Sequence, residues 1–171
     1  MPSNHSLRSQ IGIFLRFLRD YPTFLKTPLT PDECRRRVST KLVSREASFL
    51  DIVDRAVFRQ PHSPYQQLMK WAAVDPLQIK KWVDQLGIEG TLETIYDAGI
   101  YLTLDEFKGR KPIVRQGRTL STRKRDFDNP LSSPHFVSQT GGSRSHGERI
   151  RLEQAHYAQD CVNVYFFFTS P

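Results

Sequence analysis

The sequence predicts an α+β protein: a helix-rich first two-thirds, then a short β-hairpin carrying a Gly/Ser loop, then a C-terminal helix. Three observations carry that expectation. Up to about residue 108, apolar residues recur at three- and four-residue spacings. Thr30-Pro31, Ser63-Pro64 and Asp75-Pro76 each set a capping side chain before a proline, the residue best suited to a first helical position. After Lys108 the pattern shifts to short strand-like runs separated by Gly, Pro and Ser.

The first helix is marked by Leu7, Ile11, Phe14, Leu15 and Leu18 on one face and is expected to stop before Tyr21-Pro22. A second starts at Thr30-Pro31-Asp32-Glu33, with acids in its first turn and Cys34, Val38 and Leu42 four apart. Its stripe resumes at Phe49, Val53, Ala56 and Val57, as one long helix or as two with a break near Ser44. The helix after Ser63-Pro64 places Tyr65, Leu68, Met69 and Ala72 together. The one after Asp75-Pro76 places Ile79, Trp82, Val83 and Leu86 together and ends at Gly87. A short helix over Thr91–Ala98 follows, closed by Gly99, and Thr103-Leu104-Asp105-Glu106 has the form of a capping box. Trp82, Tyr96 and Phe107 are read as core anchors.

Beyond residue 110, Pro112-Ile113-Val114 is strand-like and Gln116-Gly117 a turn. Thr119–Arg125 is polar and basic, and residues 128–134 read as irregular loop. His135-Phe136-Val137 and Arg149-Ile150-Arg151-Leu152 are the strands of the hairpin, and helix resumes from about Glu153 through Tyr157, Cys161 and Val164. Three segments are expected: 1–60, helical; 61–110, helical and leading to the core; and 111–171, the start of a core that carries the loop and is incomplete in this chain.

The 171 residues carry a formal charge of +7 that is unevenly placed. From Lys108 to Arg151 there are eleven Lys/Arg against three Asp/Glu, net +8, while the remainder has fourteen against fifteen, net −1. That placement suits a phosphate-bearing ligand, whether nucleotide or nucleic acid. Two cysteines, Cys34 and Cys161, make no disulfide framework, and the five scattered histidines give no metal-ligand spacing, so no metal site is expected. Apolar runs fall well short of the ~18–20 residues needed to span a bilayer. A cytoplasmic chain without membrane association is expected. Neither a Ser/His/Asp set nor a carboxylate pair can be assembled from spacing, so no catalytic residue is assigned; Asp126 and Asp128 read as solvated turn residues.

Between the two hairpin strands lies Ser138-Gln139-Thr140-Gly141-Gly142-Ser143-Arg144-Ser145-His146-Gly147-Glu148-Arg149. Glycine accepts positive φ and brings no Cβ, so a loop of this composition can turn several N–H groups toward one anion. The hydroxyls of Thr140, Ser143 and Ser145 add donors, and Arg144 and Arg149 add charge. Gly142 to Gly147 has the glycine spacing of G-x-x-x-x-G-K-[ST], yet Glu148-Arg149 stands where Lys-Ser/Thr belongs, which rejects that nucleotide-binding class. G-x-G-x-x-G and G-x-S-x-G are absent as well.

The loop resembles the phosphate loop of adenylate-forming (AMP-binding) enzymes, with the approximate pattern T-[ST]-G-[ST]-T-G-x-P-K. Thr140, Gly142 and Ser143 match; Gly141 occupies a hydroxyl position, Ser145 replaces the second glycine, Gly147 the proline and Glu148 the lysine, with Arg149 one step later. Ser-Arg after the central glycine is similar to the phenylacetate–CoA ligase-like and acyl-protein synthetase branches. His62-Ser63-Pro64-Tyr65-Gln66-Gln67-Leu68 likewise resembles an SPYY+xL segment near the start of the phenylacetate–CoA ligase-like proteins. The resemblance covers about residues 60–157.

It implies ATP-dependent activation of a carboxylic acid to an acyl-adenylate, followed by transfer to a thiol such as coenzyme A or to another nucleophile. Thr140, Gly141, Gly142, Ser143, Arg144, Ser145 and Arg149 would form the phosphate-binding set. ATP, Mg²⁺ and, for the second step, coenzyme A are the implied ligands of an intact enzyme. Such enzymes are several times longer, so the chain is expected to be their N-terminal portion, inert by itself. The aromatic run Tyr165-Phe166-Phe167-Phe168 fits that expectation, since it calls for a partner surface.

Two other classes compete. A basic nucleic-acid-binding module would use Arg110–Arg125, but Phe127 is the lone aromatic residue interleaved there, and nucleic acid is the weaker candidate. A small helical interaction domain would dock a partner through its helices and aromatic tail.

Overall fold

A computed structural model of the chain describes residues 4–26, 29–132, 136–139 and 149–169. It is helix-rich with short antiparallel strand pairs, and it divides into two compact units. One comprises Val43–Leu131; the other comprises Met1–Leu42 with Ser132–Pro171.

In the unit that contains both ends of the chain, helix α1 spans Asn4–Leu25. It runs through Pro22, where the sequence predicts a stop. Proline removes its own N–H, but its carbonyl still accepts from Lys26 N at 3.2 Å, and Phe17 stacks on Tyr21 at 4.9 Å across the same turn. Helix α2, Pro31–Val43, begins as its sequence signals require: Glu33 N donates to Thr30 Oγ1 at 3.2 Å. Of its stripe, Cys34 is buried and Val38 half-buried, while Leu42 is exposed. Strands β3, Phe136–Gln139, and β4, Arg149–Leu152, pair antiparallel, and helix α7 covers Gln154–Thr169. The helix extends through the aromatic run. Among the described residues of this unit, Ile13, Cys34 and Val162 are the buried apolar ones, and Phe167 and Phe168 stand 80% and 77% exposed.

The other unit holds the larger core. Helix α3 (Arg45–Val53) follows α2 after a break at Ser44, which has non-helical ψ of 11°, and continues into a π-helical turn over Asp54–Phe58. The sequence left that break open, and the structure places it at Ser44. Helix α4 (Pro64–Trp71) buries Pro64, Leu68 and Met69, while Tyr65 faces outward. Helix α5 spans Pro76–Asp97 and is capped by Asp75, whose Oδ1 accepts from Gln78 N at 2.8 Å. It is two helical segments, since Gly87 adopts φ 69° and ψ −175°, the interruption its sequence predicts.

Helix α6 (Leu104–Phe107) has its full capping box: Thr103 Oγ1 accepts from Glu106 N, and Glu106 Oε2 accepts from Thr103 N at 2.7 Å. Strands β1 (Ile113–Arg115) and β2 (Arg118–Leu120) pair antiparallel around a Gln116-Gly117 turn with φ of 48° and 75°. β2 and the 3₁₀ turn over Lys124–Phe127 lie in the stretch that the sequence marks as polar and basic without assigning it an element. Their signal is weak because β2 is three residues long with no buried side chain. Asp126, read as a solvated turn residue, caps that 3₁₀ turn by accepting from Arg123 N at 2.8 Å.

Leu68, Met69, Val74, Ile79, Val83, Ile95, Ile100 and Ile113 form the core, with Trp82 packed against it. Tyr96 and Phe107 are not core anchors: they are 60% and 38% exposed. Tyr96 follows the buried Ile95 by one residue, a rotation of about 100° that carries it off the buried face. It stacks instead on Tyr101 at 4.8 Å, and Phe107 stacks on Phe127 at 5.2 Å. Among the described residues no helix is long and apolar enough to cross a membrane.

Candidate functional site: a glycine-rich hairpin and two arginine clusters

The β3–β4 register runs Phe136↔Leu152, Val137↔Arg151, Ser138↔Ile150 and Gln139↔Arg149. Gln139 and Arg149 are thus cross-strand neighbours, so both ends of the glycine-rich segment are fixed at one place by the strand ladder. Thr140, Gly141, Gly142, Ser143, Arg144 and Ser145 lie outside the described residues. Arg149 lies within them as the first residue of β4. The second strand, β4, covers Arg149–Leu152 as its sequence reading has it; β3 covers Phe136–Gln139 and so takes in Ser138 and Gln139, which the sequence reading gives to the loop, while His135 lies outside the described residues.

The other unit contains a cluster that the sequence does not announce. Arg115 sits at the end of β1 with all five guanidinium N–H groups engaged. Nε donates to Gly99 O at 3.1 Å; Nη1 donates to Glu106 Oε1 and to Val114 O, each at 2.8 Å. Nη2 donates to Tyr101 O at 2.8 Å and to Glu106 Oε2 at 3.1 Å. The guanidinium also lies over the Tyr101 ring, 4.0 Å from its centre. Arg115 holds the Glu106 carboxyl down at about 2, against an ordinary 4.5, with the Thr103 capping bonds adding to the effect.

A hollow of about 120 Å³ opens beside this cluster between Trp71, Asp97, Gly99 and Arg115. Every donor of Arg115 is already satisfied by protein, so it is a tertiary clamp tying α6 and the 99–101 segment to β1, not a free anion receptor. Gly99, Tyr101 and Glu106, with the strand residues Val114 and Arg115, form it, and no spacing rule links the arginine to the other three in sequence.

A second arginine-rich region is a genuine surface. Lys108, Arg110, Lys111, Arg123, Lys124 and Arg125 are all exposed. Asp105 takes Arg110 at 3.5 Å and Lys111 at 3.4 Å, and Asp126 lies 4.0 Å from Arg123. Among the described residues no group of three or more His, Cys, Asp or Glu is placed to hold a metal ion. Compared with family models, with curated proteins and with solved structures, the chain matches none.

Proposed function

We propose that residues 140–149 hold the phosphates of ATP in a carboxylate-activating, acyl-adenylate-forming reaction, this chain being the N-terminal, phosphate-binding portion of the enzyme. The reading rests on the sequence match at Thr140, Gly142 and Ser143. The observation that supports it most is the pairing of Gln139 with Arg149. That pairing anchors a Gly/Ser/Thr segment at both ends, which lowers the ordering cost of gathering donors around a polyanion.

In the proposed reaction a carboxylate oxygen attacks the α-phosphorus of ATP. The new C–O–P bond forms as the bond to the bridging oxygen breaks, and pyrophosphate leaves with the electron pair. The chain's own contribution is positional and electrostatic. Backbone N–H groups of Gly141 and Gly142 and the hydroxyls of Thr140, Ser143 and Ser145 donate to β- and γ-phosphate oxygens, and Arg144 and Arg149 balance their charge. Mg²⁺ would add charge neutralisation on the same phosphates. The hydroxyls and Arg149 suit phosphate itself, whereas Glu148 is the segment's single carboxylate. No residue of this chain is assigned to the later transfer to coenzyme A or another acceptor, or to the carboxylic acid's acyl group.

Titration calorimetry of the chain with ATP, tripolyphosphate and AMP, with and without Mg²⁺, tests the reading. ATP and tripolyphosphate are expected to bind and AMP to bind more weakly. Ser143→Ala with Arg149→Gln is expected to weaken ATP by about tenfold or more, the size of one to two lost charge-assisted hydrogen bonds. ATP binding indifferent to those substitutions, or no binding at millimolar ATP, overturns it.

A further inference from the structure

Two basic stretches that are well separated in sequence meet at Gly109. Its φ is +67°, and a Cβ placed there would stand 2.9 Å from the Thr122 carbonyl oxygen and 3.2 Å from Arg123 Cα. The Thr122 hydroxyl adds a bond to the Glu106 carbonyl at 3.3 Å. This close crossing sets the backbone carrying Lys108, Arg110 and Lys111 against the backbone carrying Arg123, Lys124 and Arg125. Six exposed cations are thereby carried on two crossing segments, with Asp105 beside Arg110 and Lys111 and Asp126 beside Arg123.

The same crossing assembles an aromatic edge. Phe107 stacks on Phe127 at 5.2 Å, and Tyr65, contributed by α4, meets Phe127 edge-on at 6.1 Å. Phe107 and Tyr65 are each 38% exposed, so part of each ring stays open to solvent, and Phe107 directly precedes Lys108 in the chain. In sequence Phe107 adjoins one end of this charge and Phe127 the other; the fold brings the two rings together and adds Tyr65.

We propose that this face binds single-stranded nucleic acid. Arginine forks and lysines match the phosphates of a backbone, and exposed rings offer a flat partner to unpaired bases. A duplex keeps its bases stacked on each other, and a lipid headgroup brings phosphate without a ring. Neither would use both halves of the face. The proposal rests on residues 65 and 105–127 alone and is independent of the glycine-rich hairpin.

The test is fluorescence anisotropy of the full chain with a labelled single-stranded oligonucleotide of about 16 nucleotides, titrated across salt concentrations. The wild-type chain is expected to bind with an affinity that falls steeply with salt. Lys108→Gln/Arg110→Gln/Arg125→Gln is expected to flatten the log–log salt slope by about 2, at roughly 0.7 for each phosphate contact removed. Tyr65→Leu/Phe107→Leu keeps an apolar side chain against Phe127 and is expected to weaken binding about 5- to 100-fold while the salt slope stays. Melting curves confirm that each variant is folded; a variant that fails to fold is replaced by Lys108→Glu, which is expected to weaken binding at low salt. An unchanged salt slope overturns the proposal, as does unchanged affinity without the rings. Equal affinity for a duplex or for phosphatidylserine vesicles does so too. If only Arg144→Gln/Arg149→Gln abolishes binding, the anion site is the hairpin and this face is not one.

Discussion

Arg115 and Glu106 form a two-pronged ion pair, with Nη1 2.8 Å from Oε1 and Nη2 3.1 Å from Oε2, and only 13% and 8% of the two side chains exposed. Glu106 is also the capping residue of α6, so one carboxylate closes a helix start and fixes the strand that follows. A charge pair this sheltered is worth little against an apolar replacement, but removing one partner strands the other.

The Glu106 carboxyl titrates at about 2 in the folded protein against 4.5 ordinarily. A depressed acid contributes its stability fully above the unfolded value and loses it as pH falls from about 4.5 toward 2. Urea midpoints are expected to drop across that window in the wild type. Glu106→Gln is expected to be about 3 kcal/mol less stable near neutral pH, with the difference shrinking as the solution is acidified.

Arg115→Lys keeps the charge but offers three donors from a single nitrogen in place of five spread over a planar fork. Carbonyls of Gly99, Tyr101 and Val114 then compete for what remains. A loss of about 1–3 kcal/mol is expected in denaturant unfolding, enough to show that the guanidinium shape matters as well as its charge.

Gly109→Ala places a methyl group 2.9 Å from the Thr122 carbonyl at a backbone φ of +67°. Both the strain and the clash act on backbone, which cannot swing aside as a side chain would. Thermal melting is expected to show a loss of roughly 1–3 kcal/mol. If the basic face is built by this crossing, oligonucleotide affinity falls with it.

Ala73 closes α4 with φ of 55°, a left-handed position where an L side chain is strained. Its N–H still bonds to Lys70 O at 3.2 Å and Val74 N to Met69 O at 2.9 Å, so the turn is needed for the burial of Val74. Ala73→Gly is expected to stabilise the protein by up to about 1 kcal/mol, read as a raised melting temperature.

Features that act within a few residues were legible in the sequence. The Asp75 cap, the Gly87 interruption, the Thr103–Glu106 box, the Gln116-Gly117 turn and the strands flanking residues 140–148 all follow from hydrogen bonds or φ limits spanning one turn. The continuation of α1 through Pro22 did not follow, because the proline costs one donor while its carbonyl still accepts from Lys26 N and keeps the last turn bonded. Tyr96 was misplaced because helical period says which residues share a face, not how wide the buried stripe is.

By itself, then, the sequence determined where α2, α4, α5 and α6 start, where the charge lies, and that a Gly/Ser/Thr segment joins two strands. Tertiary structure alone decided that Glu106 would answer Arg115, that Gly109 would lie under Thr122, and that Phe107 and Tyr65 would both meet Phe127. Those meetings join residues whose separation along the chain carries no periodic signal. Close packing holds them: Ile113, 0% exposed in the core, fixes β1 two residues before Arg115.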